Sequence, residues 1–272
     1  MNHLGFITSS KTKKLFTLFI LIAGFILLMP NPKAQAQRKR GWVQNTKGRI
    51  FYYDGAGRRA RSKKKLIGRH FYYFDTNGRQ HIGWIKIKDH YCYYNLQRGK
   101  SGYLVKNKTV NGIKIDENGY AVDNLEKVRL LAEANRIAFS LTNFNMTQRE
   151  KNMECFLYIK DKTNWRNLKG FRTENKDWDI FYAEYALFKN TGDCYSGGCA
   201  FAYMAAAIGN KNVYAESSGG HGWCTIDEMF YDPNWSWAQK NVDDYFEVPA
   251  SLSGKGGRPS WAKHRLYRKR ID

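Results

Sequence analysis

Residues 41–122 repeat with a period of about 21 residues, and this repetition constrains the fold more than any other feature of the chain. Each unit carries a short run that ends in a turn starting with Asp or Asn and closing with Gly, and three of the four runs are rich in aromatic residues. The runs are Ile50–Gly57, Phe71–Gly78, Tyr91–Gly99 and Gly112–Gly119, at spacings of 21, 20 and 21 residues. A short strand followed by such a turn predicts a β-hairpin. Because a lone hairpin is marginal in water, we expect a stack of hairpins with aromatic side chains buried between units.

These runs, together with Gly-Trp at residues 41–42 and 83–84, resemble the cell-wall-binding (choline- or glucan-binding) repeat family. The run HFYYFDTNG at His70–Gly78 is nearest to the family pattern. The resemblance implies a β-hairpin solenoid in which rings from neighbouring repeats form shallow cages for choline or a sugar. The cage residues it implies are Trp42, Tyr52, Tyr73, Trp84 and Tyr93. The alternative is that these rings form only the core of a spacer domain.

The first 36 residues have the pattern of a secretory signal peptide. Lysines at 11–14 precede an apolar run at 15–29, and Ala-Gln-Ala at 34–36 offers small residues to a signal peptidase. A spanning helix needs about 20 apolar residues, so an uncleaved anchor is the weaker alternative. We therefore expect an exported mature chain that begins near Gln37.

The chain is strongly basic, with 45 lysine and arginine residues against 24 acidic residues. The part after the predicted signal peptide keeps 41 of those cations and all of the acids, a net charge of +17. An exported chain seldom meets nucleic acid, so this charge would attract wall polymers or anionic lipid headgroups. The alternative is that the charge serves only solubility.

Five cysteines are few and odd in number for an exported chain: Cys92, Cys155, Cys194, Cys199 and Cys224. A dense disulfide scaffold is therefore excluded, and at least one thiol stays free or pairs between molecules. This favours a functional role for one thiol.

After residue 122 the hydrophobic spacing becomes that of helices. Thr147 and Glu150 match a capping box at the start of the second of these helices, and Cys155 is expected in the core. A cap at Asp123 or Asn124 is expected for the first. The predicted helices cover residues 123–141, 146–163, 178–188 and 194–208.

Three residue types that thiol catalysis requires follow in order at Cys194, His221 and Asp232. Asp193 can cap the predicted fourth helix, so Cys194 lies in its first turn, where unpaired N–H groups favour a negative charge. His221 lies on one predicted strand and Asp232 ends the next, so antiparallel pairing can bring them together. A nucleophilic thiol needs a base within hydrogen-bond reach and a third group that orients the base. The order and spacing therefore predict a Cys-His-Asp triad.

Three segments resemble the transglutaminase-like superfamily of papain-like thiol enzymes. They are GDCYSGGCAFAYMAAAIG (192–209), HGW (221–223) and YDPNW (231–235), and the resemblance covers roughly residues 123–240. The glycine pair at 197–198 departs from the family, which prefers an aromatic and a small residue there. Glycines in a first turn lower helix propensity, so this pair either opens space beside the thiol or loosens the helix.

The resemblance implies a role for each residue of the predicted triad. Cys194 would be the nucleophile, His221 the general base and then acid, and Asp232 the group that orients the imidazole. The backbone N–H of Cys194 would be an oxyanion donor, and Trp223 would pack near the site.

A zinc site is the chemical alternative, with Cys194, Cys199, His221 and Cys224 as ligands. Cys199 lies about 140° around the helix from Cys194, and Cys224 faces away from His221 on its strand. The four side chains are therefore not expected to converge, and a disulfide between Cys194 and Cys199 is not expected either. Cys199 and Cys224 are expected in the core, where a disulfide between them stays open.

We thus expect an α+β protein: an N-terminal β-hairpin repeat solenoid, then a papain-like transglutaminase core with helices packed on an antiparallel sheet. The expected divisions are a signal peptide (1–36), repeats (37–122), a catalytic domain (123–250) and a basic C-terminal tail (251–272).

The expected function is that of a secreted, cell-wall-associated bacterial thiol enzyme of Gram-positive type. It would cleave or transfer peptide or glutamine acyl groups with no cofactor or metal. Its expected partners are a peptide or protein substrate and, through the repeats, a cell-wall carbohydrate or choline-bearing polymer, with no nucleic acid. The alternative is a non-catalytic wall-binding adhesin or toxin-like binding protein. The triad alone does not separate hydrolysis from acyl transfer.

Overall fold

The computed structural model describes residues 38–172 and 175–272, so the predicted signal peptide lies outside it. The strands are β1 (Gly41–Gln44), β2 (Ile50–Tyr53), β3 (Lys63–Ile67), β4 (His70–Phe74), β5 (Gly83–Ile87), β6 (His90–Tyr94), β7 (Lys108–Val110), β8 (Ile113–Ile115), β9 (Asn164–Trp165), β10 (Thr191–Gly192), β11 (Val213–Ser217), β12 (Gly222–Ile226), β13 (Met229–Tyr231) and β14 (Tyr267–Arg270). The α-helices are α1 (Leu125–Leu141), α2 (Gln148–Lys162), α3 (Trp178–Lys189), α4 (Cys194–Ala207), α5 (Pro233–Ala238) and α6 (Trp261–His264).

Each repeat folds as an antiparallel hairpin, which confirms the hairpin stack predicted from the repeat. The pairs are β1 with β2, β3 with β4, β5 with β6 and β7 with β8. Backbone hydrogen bonds then join successive units: Gln80 N–H donates to Ile50, Leu104 to Phe71 and Ala121 to Tyr91, at 2.8–2.9 Å.

The repeated aspartates fix the turn that follows each strand. The Asp54 carboxylate accepts hydrogen bonds from the backbone N–H groups of Ala56 and Arg58, and Asp116 accepts from Asn118 and Tyr120 in the same way. Such a carboxylate satisfies turn donors that would otherwise need water. The period visible in the sequence is therefore the period of these turns.

The helices form where the apolar spacing predicts them, with one difference at a cap. Thr147 and Glu150 make the predicted capping box at the start of α2. Asn124 precedes α1 in a left-handed conformation and makes no side-chain cap. Its amide instead donates to Gly112, and the Asp123 carboxylate accepts from Lys114, so both side chains join α1 to the last hairpin.

Helix α4 is the centre of the helical region, and every residue from Tyr195 to Ala207 is buried. It packs against α1, α2 and α3 on its helical sides and against β11 and β12 of the sheet. The antiparallel sheet has the order β13-β12-β11-β14. The fold is therefore mixed α and β, and its small sheets are antiparallel except for the parallel pair of β9 with β10.

Residues 251–272 differ from the basic tail that we expected. Strand β14 pairs with β11 along its whole length, and Trp261 in α6 is only 1% exposed. Arg268 and Arg270 of β14 are exposed, while Tyr267 and Lys269 are half-buried. The segment therefore reads as basic in the sequence, although its backbone forms the edge strand of the sheet. No helix in the described residues is long and apolar enough to cross a membrane.

Candidate active site

Cys194 is the first residue of α4 and lies at the edge of the buried core. The Asp193 carboxylate accepts a hydrogen bond from Ser196 N–H at 3.1 Å, which makes the predicted N-cap and starts the helix at the cysteine. Cys194 is half-buried, whereas the other four cysteines are buried. Its thiol is therefore the accessible one.

The imidazole of His221 lies between the thiol and the carboxylate of Asp232. His221 precedes β12 and Asp232 follows β13, so the antiparallel pairing of these strands brings the two residues together. The His221 Nε2 to Asp232 Oδ2 distance is 2.6 Å, and Asp232 is fully buried. The Cys194 thiol lies near the same ring and contributes to raising the pKa of His221. The structure thus brings together the three residues of the predicted triad.

The protonated imidazole is stabilised in this setting. Burial lowers the pKa of His221, but the Asp232 charge and hydrogen bonds to Asp232 and Cys194 outweigh it, and the pKa rises to about 10. Below that pKa His221 is a cation held against a buried carboxylate.

Two tryptophans hold the Asp232 carboxylate in place. Trp235 N–H donates to Oδ1 at 3.0 Å, which makes Asp232 the N-cap of α5. The Trp261 indole N–H donates at 3.0 Å to Oδ2, the oxygen that contacts His221. The sequence does not indicate Trp261, because it lies in the segment expected to be a basic tail. Its role follows only from the fold, which places it next to Asp232.

Glycines allow α4 to approach the sheet closely enough for this geometry. A Cβ atom on Gly198 would lie 2.7–2.8 Å from backbone atoms of Trp223, and one on Gly222 would lie 2.6 Å from the Cα of Tyr195. A Cβ on Gly197 would lie 2.6 Å from the ring of Trp165. The unusual glycine pair therefore lets the helix contact strand β12 on one side and an indole on the other.

A cleft of about 480 Å³ opens beside Cys194. Trp165 and Trp237 lie side by side at its wall, with ring centroids 5.8 Å apart, and Trp237 is 48% exposed. Other lining residues include Arg166, Asn167, Phe171, Tyr195, Gly220 and Asn234. The cleft is wide and aromatic, and it gives an extended ligand with an apolar or planar group access to the thiol.

Trp223 packs near the site as predicted, and its ring centroid lies 6.1 Å from that of His221. The indole N–H donates to the buried carboxylate of Glu216 at 3.0 Å. Glu216 also forms ion pairs with Arg265 and Arg268 near the C-terminus. Trp223 is therefore held by its hydrogen bond to Glu216. A buried carboxylate without a partner would be unfavourable, and the two arginines supply the opposite charge that Glu216 needs.

The zinc alternative does not match the arrangement of the described residues, in which no group of three or more Cys, His, Asp or Glu side chains could hold a metal ion. All five cysteines are unpaired. Burial raises the pKa of both Cys199 and Cys224 well above the usual value, as expected for thiols in the core.

The five residues predicted to form ligand cages fall into two groups. Trp84 and Tyr93 are buried, at 0% and 8% exposure, because β5 packs directly against α1. The Trp84 indole donates to Asn111. These two belong to the main hydrophobic core, so their assignment to an open cage was wrong. The physical reason is that helix α1 packs against the third hairpin (β5 and β6) and covers these rings.

Trp42, Tyr52 and Tyr73 remain half-buried. The Trp42 ring contacts Tyr52 and Tyr72, with centroid distances of 5.2 and 4.9 Å. Tyr73 instead lines a separate cleft of about 570 Å³ between the hairpins and α1. The structure therefore keeps one aromatic cluster on the first two hairpins and does not bring all five residues together.

No family model matches the chain, and no curated protein matches it. Among solved structures, choline binding protein F from Streptococcus pneumoniae is similar over 31% of this chain, at 27% identity and a TM-score of 0.28. The choline binding domain of Spr1274 in Streptococcus pneumoniae is similar over 32% of the chain and 99% of its own length, at 25% identity and a TM-score of 0.28. The choline-binding domain of CbpL from Streptococcus pneumoniae is similar over 31% of this chain and 43% of its own, at 23% identity and a TM-score of 0.25. This chain spans 27% of the length of choline binding protein F.

Proposed function

We propose that the chain is a thiol enzyme of the transglutaminase-like class, with Cys194, His221 and Asp232 as its catalytic triad. The observation that carries this proposal is the 2.6 Å contact of His221 with a fully buried Asp232, beside the one accessible thiol. A buried carboxylate in contact with an imidazolium, and a thiol beside that ring, would supply an orienting group, an acid–base group and a nucleophile. The papain-like fold is part of the same proposal.

The proposed reaction begins with attack of the Cys194 thiolate on a carboxamide or peptide carbonyl. A C–S bond forms, the carbonyl π electrons move to oxygen, and His221 gives its proton to the departing amine as the tetrahedral intermediate collapses. The resulting acyl-enzyme then reacts with water or with a primary amine, whose proton returns to His221. The backbone N–H of Cys194 is the proposed oxyanion donor.

Alkylation of the thiol tests this assignment directly. We expect iodoacetamide at pH 6–7 to modify Cys194 faster than it modifies a free thiol, because the imidazolium favours the thiolate. His221→Ala should slow the reaction to the rate of a free thiol or below. His90→Ala is a suitable control, since His90 is an exposed histidine on the repeats. Equal rates in the wild type and His221→Ala would overturn the triad.

The reaction type is tested with wall peptides and casein, each with and without an added primary amine. Mass spectrometry distinguishes the two outcomes: released fragments indicate hydrolysis, and amine adducts indicate transfer. Cys194→Ala should give neither product. If the wild type also gives neither product, the proposal that the chain hydrolyses or transfers peptide or carboxamide acyl groups is wrong.

The second candidate function is non-catalytic attachment to a bacterial cell wall through the repeats, to a carbohydrate or a choline-bearing polymer. The half-buried rings of Trp42 and Tyr52, which pack with the buried Tyr72, support it, because such rings can stack on sugars or quaternary ammonium groups. Sedimentation with purified walls tests it. Trp42→Ala should reduce the bound fraction, while Cys194→Ala should leave it unchanged. Binding that is equal in both variants would remove the aromatic cluster from the attachment site.

A further inference from the structure

The positive charge of the chain is concentrated in its first two hairpins. Residues 38–69 contain twelve lysine and arginine residues and one acidic residue, Asp54, which forms an ion pair with Arg58 at 3.0 Å. Residues 70–272 contain 29 basic and 23 acidic residues. A uniform solubilising charge would not divide in this way, so the two hairpins form a local cationic surface.

The chain's own cations cover aromatic rings on this surface. The Lys64 Nζ lies 4.6 Å from the centroid of Phe71, and the Lys65 Nζ lies 5.9 Å from that of Tyr52. The guanidinium of Arg59 lies 5.2 Å from the ring of Phe51. These rings already have cationic partners, and the surrounding charge repels a further cation.

Lys64 also marks a change in the repeat. It pairs in register with Tyr73, at the position that Trp42 takes opposite Tyr52 and Trp84 takes opposite Tyr93. A charged side chain thus replaces the indole of the neighbouring units. The second hairpin presents an ammonium group where an aromatic wall would stand.

We propose that the first two hairpins bind a linear phosphodiester polymer through its phosphate groups, using the lysines of β3 and the neighbouring arginines. This deepens wall attachment, the second candidate function, on which it rests, and it is independent of Cys194. Closely spaced ammonium and guanidinium groups release counterions from such a polymer when they bind it.

The arrangement favours a polymer over a membrane surface. Lys64 and Lys65 extend from opposite faces of β3, towards Phe71 and Tyr52 respectively. A flat bilayer contacts one face at a time, whereas a flexible chain can reach both. Leu66 is the one large apolar side chain that is strongly exposed among the described residues up to 69, which is too little for insertion between lipids.

Binding to immobilised polyglycerol phosphate tests the proposal with the full chain. The variant Lys63→Gln/Lys64→Gln/Lys65→Gln should lose about tenfold or more in affinity at 0.15 M salt, and its dependence on salt should become less steep. Lys240→Gln/Lys255→Gln/Lys263→Gln removes the same charge from exposed sites elsewhere and should change affinity less than twofold. Lys63→Arg/Lys64→Arg/Lys65→Arg should retain binding.

Because β3 has no second strand partner among the described residues, the glutamine triple could aggregate. Arg61→Gln/Arg69→Gln, outside the strand, then provides the same test and should also weaken binding. Equal losses in the β3 and control triples, or tighter binding to anionic lipid vesicles than to the polymer, would overturn the proposal. If free choline displaces the chain from walls and the β3 triple binds walls as well as the wild type does, then wall attachment is supported. The proposal that the first two hairpins bind phosphate groups is then wrong. If neither walls nor polymer are bound, attachment itself fails.

Discussion

The triad region and the repeat region are both predicted from short sequence motifs, but the predicted site residues meet in the first region and separate in the second. Cys194, His221 and Asp232 meet at one point beside a cleft. Of the aromatic residues predicted to form cages, Trp84 and Tyr93 lie in the main core, whereas Trp42 and Tyr52 stay at the surface.

The difference lies in what each motif requires. A thiol, an imidazole and a carboxylate at the ends of three elements have few structural uses together, so their order in the sequence is informative. Aromatic rings at a regular spacing stabilise a stack of hairpins whether or not they bind a ligand. Which rings stay open depends on what covers them, and that is decided by another part of the chain.

Asp232→Asn should have the largest effect on the triad side of this contrast. Loss of the buried negative charge removes the main favourable partner of the His221 imidazolium, so the thiolate loses its counterion. We expect turnover and the alkylation rate of Cys194 at pH 7 to fall by roughly 10³-fold. Asp243→Asn, at an exposed carboxylate, should leave both unchanged. A decrease of less than tenfold would mean that Asp232 has a structural role only.

Trp84→Ala and Trp42→Ala separate the two groups of repeat aromatics. Trp84 is fully buried against α1, so its truncation should lower the free energy of unfolding by roughly 3–5 kcal/mol. Trp42 is half-buried, so its truncation should cost roughly half as much or less. Urea denaturation measures both. Similar losses for the two variants would mean that the first hairpin is as deeply packed as the third.

The local features of this fold were accessible from the sequence. Thr147 and Glu150 predict a real capping box, and the Asp54 and Asp116 turns follow from their own side chains. These depend on neighbours within a few residues. Trp261 was not predictable in this way, because its hydrogen bond to Asp232 spans 29 residues and its segment has a polar, basic pattern.

The glycine pair of α4 shows the same limit. Low helix propensity at residues 197–198 is visible in the sequence, but its benefit is contact with Trp165 and the backbone of Trp223. Both partners are distant along the chain. Likewise, the core position of Trp84 depends on α1, which begins some forty residues later.

Gly198→Ala tests whether this close approach holds the triad together. The new methyl group would lie 2.7–2.8 Å from strand backbone, so α4 must move away from β12. We expect a loss of roughly 1–3 kcal/mol in unfolding free energy despite the higher helix propensity of alanine, and slower alkylation of Cys194. Gly55→Ala, on the first repeat, meets no atom within 4 Å and should change neither quantity. An unchanged alkylation rate in Gly198→Ala would show that the thiol position does not depend on this contact.

The pH dependence of stability should report the charge on His221. Its pKa in the folded chain is about 10, above the ordinary value near 6.5, because the Asp232 charge outweighs burial. Between these values the folded chain holds a proton that the unfolded chain releases, so this stabilisation is complete below about pH 6.5 and is lost as the pH rises. From pH 7 to 9 the wild type should lose roughly 2–3 kcal/mol more than His221→Gln does. His264→Gln, at an exposed histidine, should follow the wild type, and parallel losses in all three would contradict the assigned charge.

Trp261→Phe should have the smallest effect, and it tests whether the C-terminal segment contributes to the triad. The substitution keeps an aromatic ring between Phe230 and Tyr245 but removes the N–H that donates to Asp232 Oδ2. Asp232 then keeps its contacts with His221 and Trp235, so we expect the alkylation rate of Cys194 to fall about tenfold or less, equivalent to about 1.4 kcal/mol or less. Phe230→Leu alters the same packing without removing a hydrogen-bond donor and serves as the control. If both variants slow alkylation equally, Trp261 acts through packing, and the link between the C-terminal segment and the triad is steric rather than a hydrogen bond.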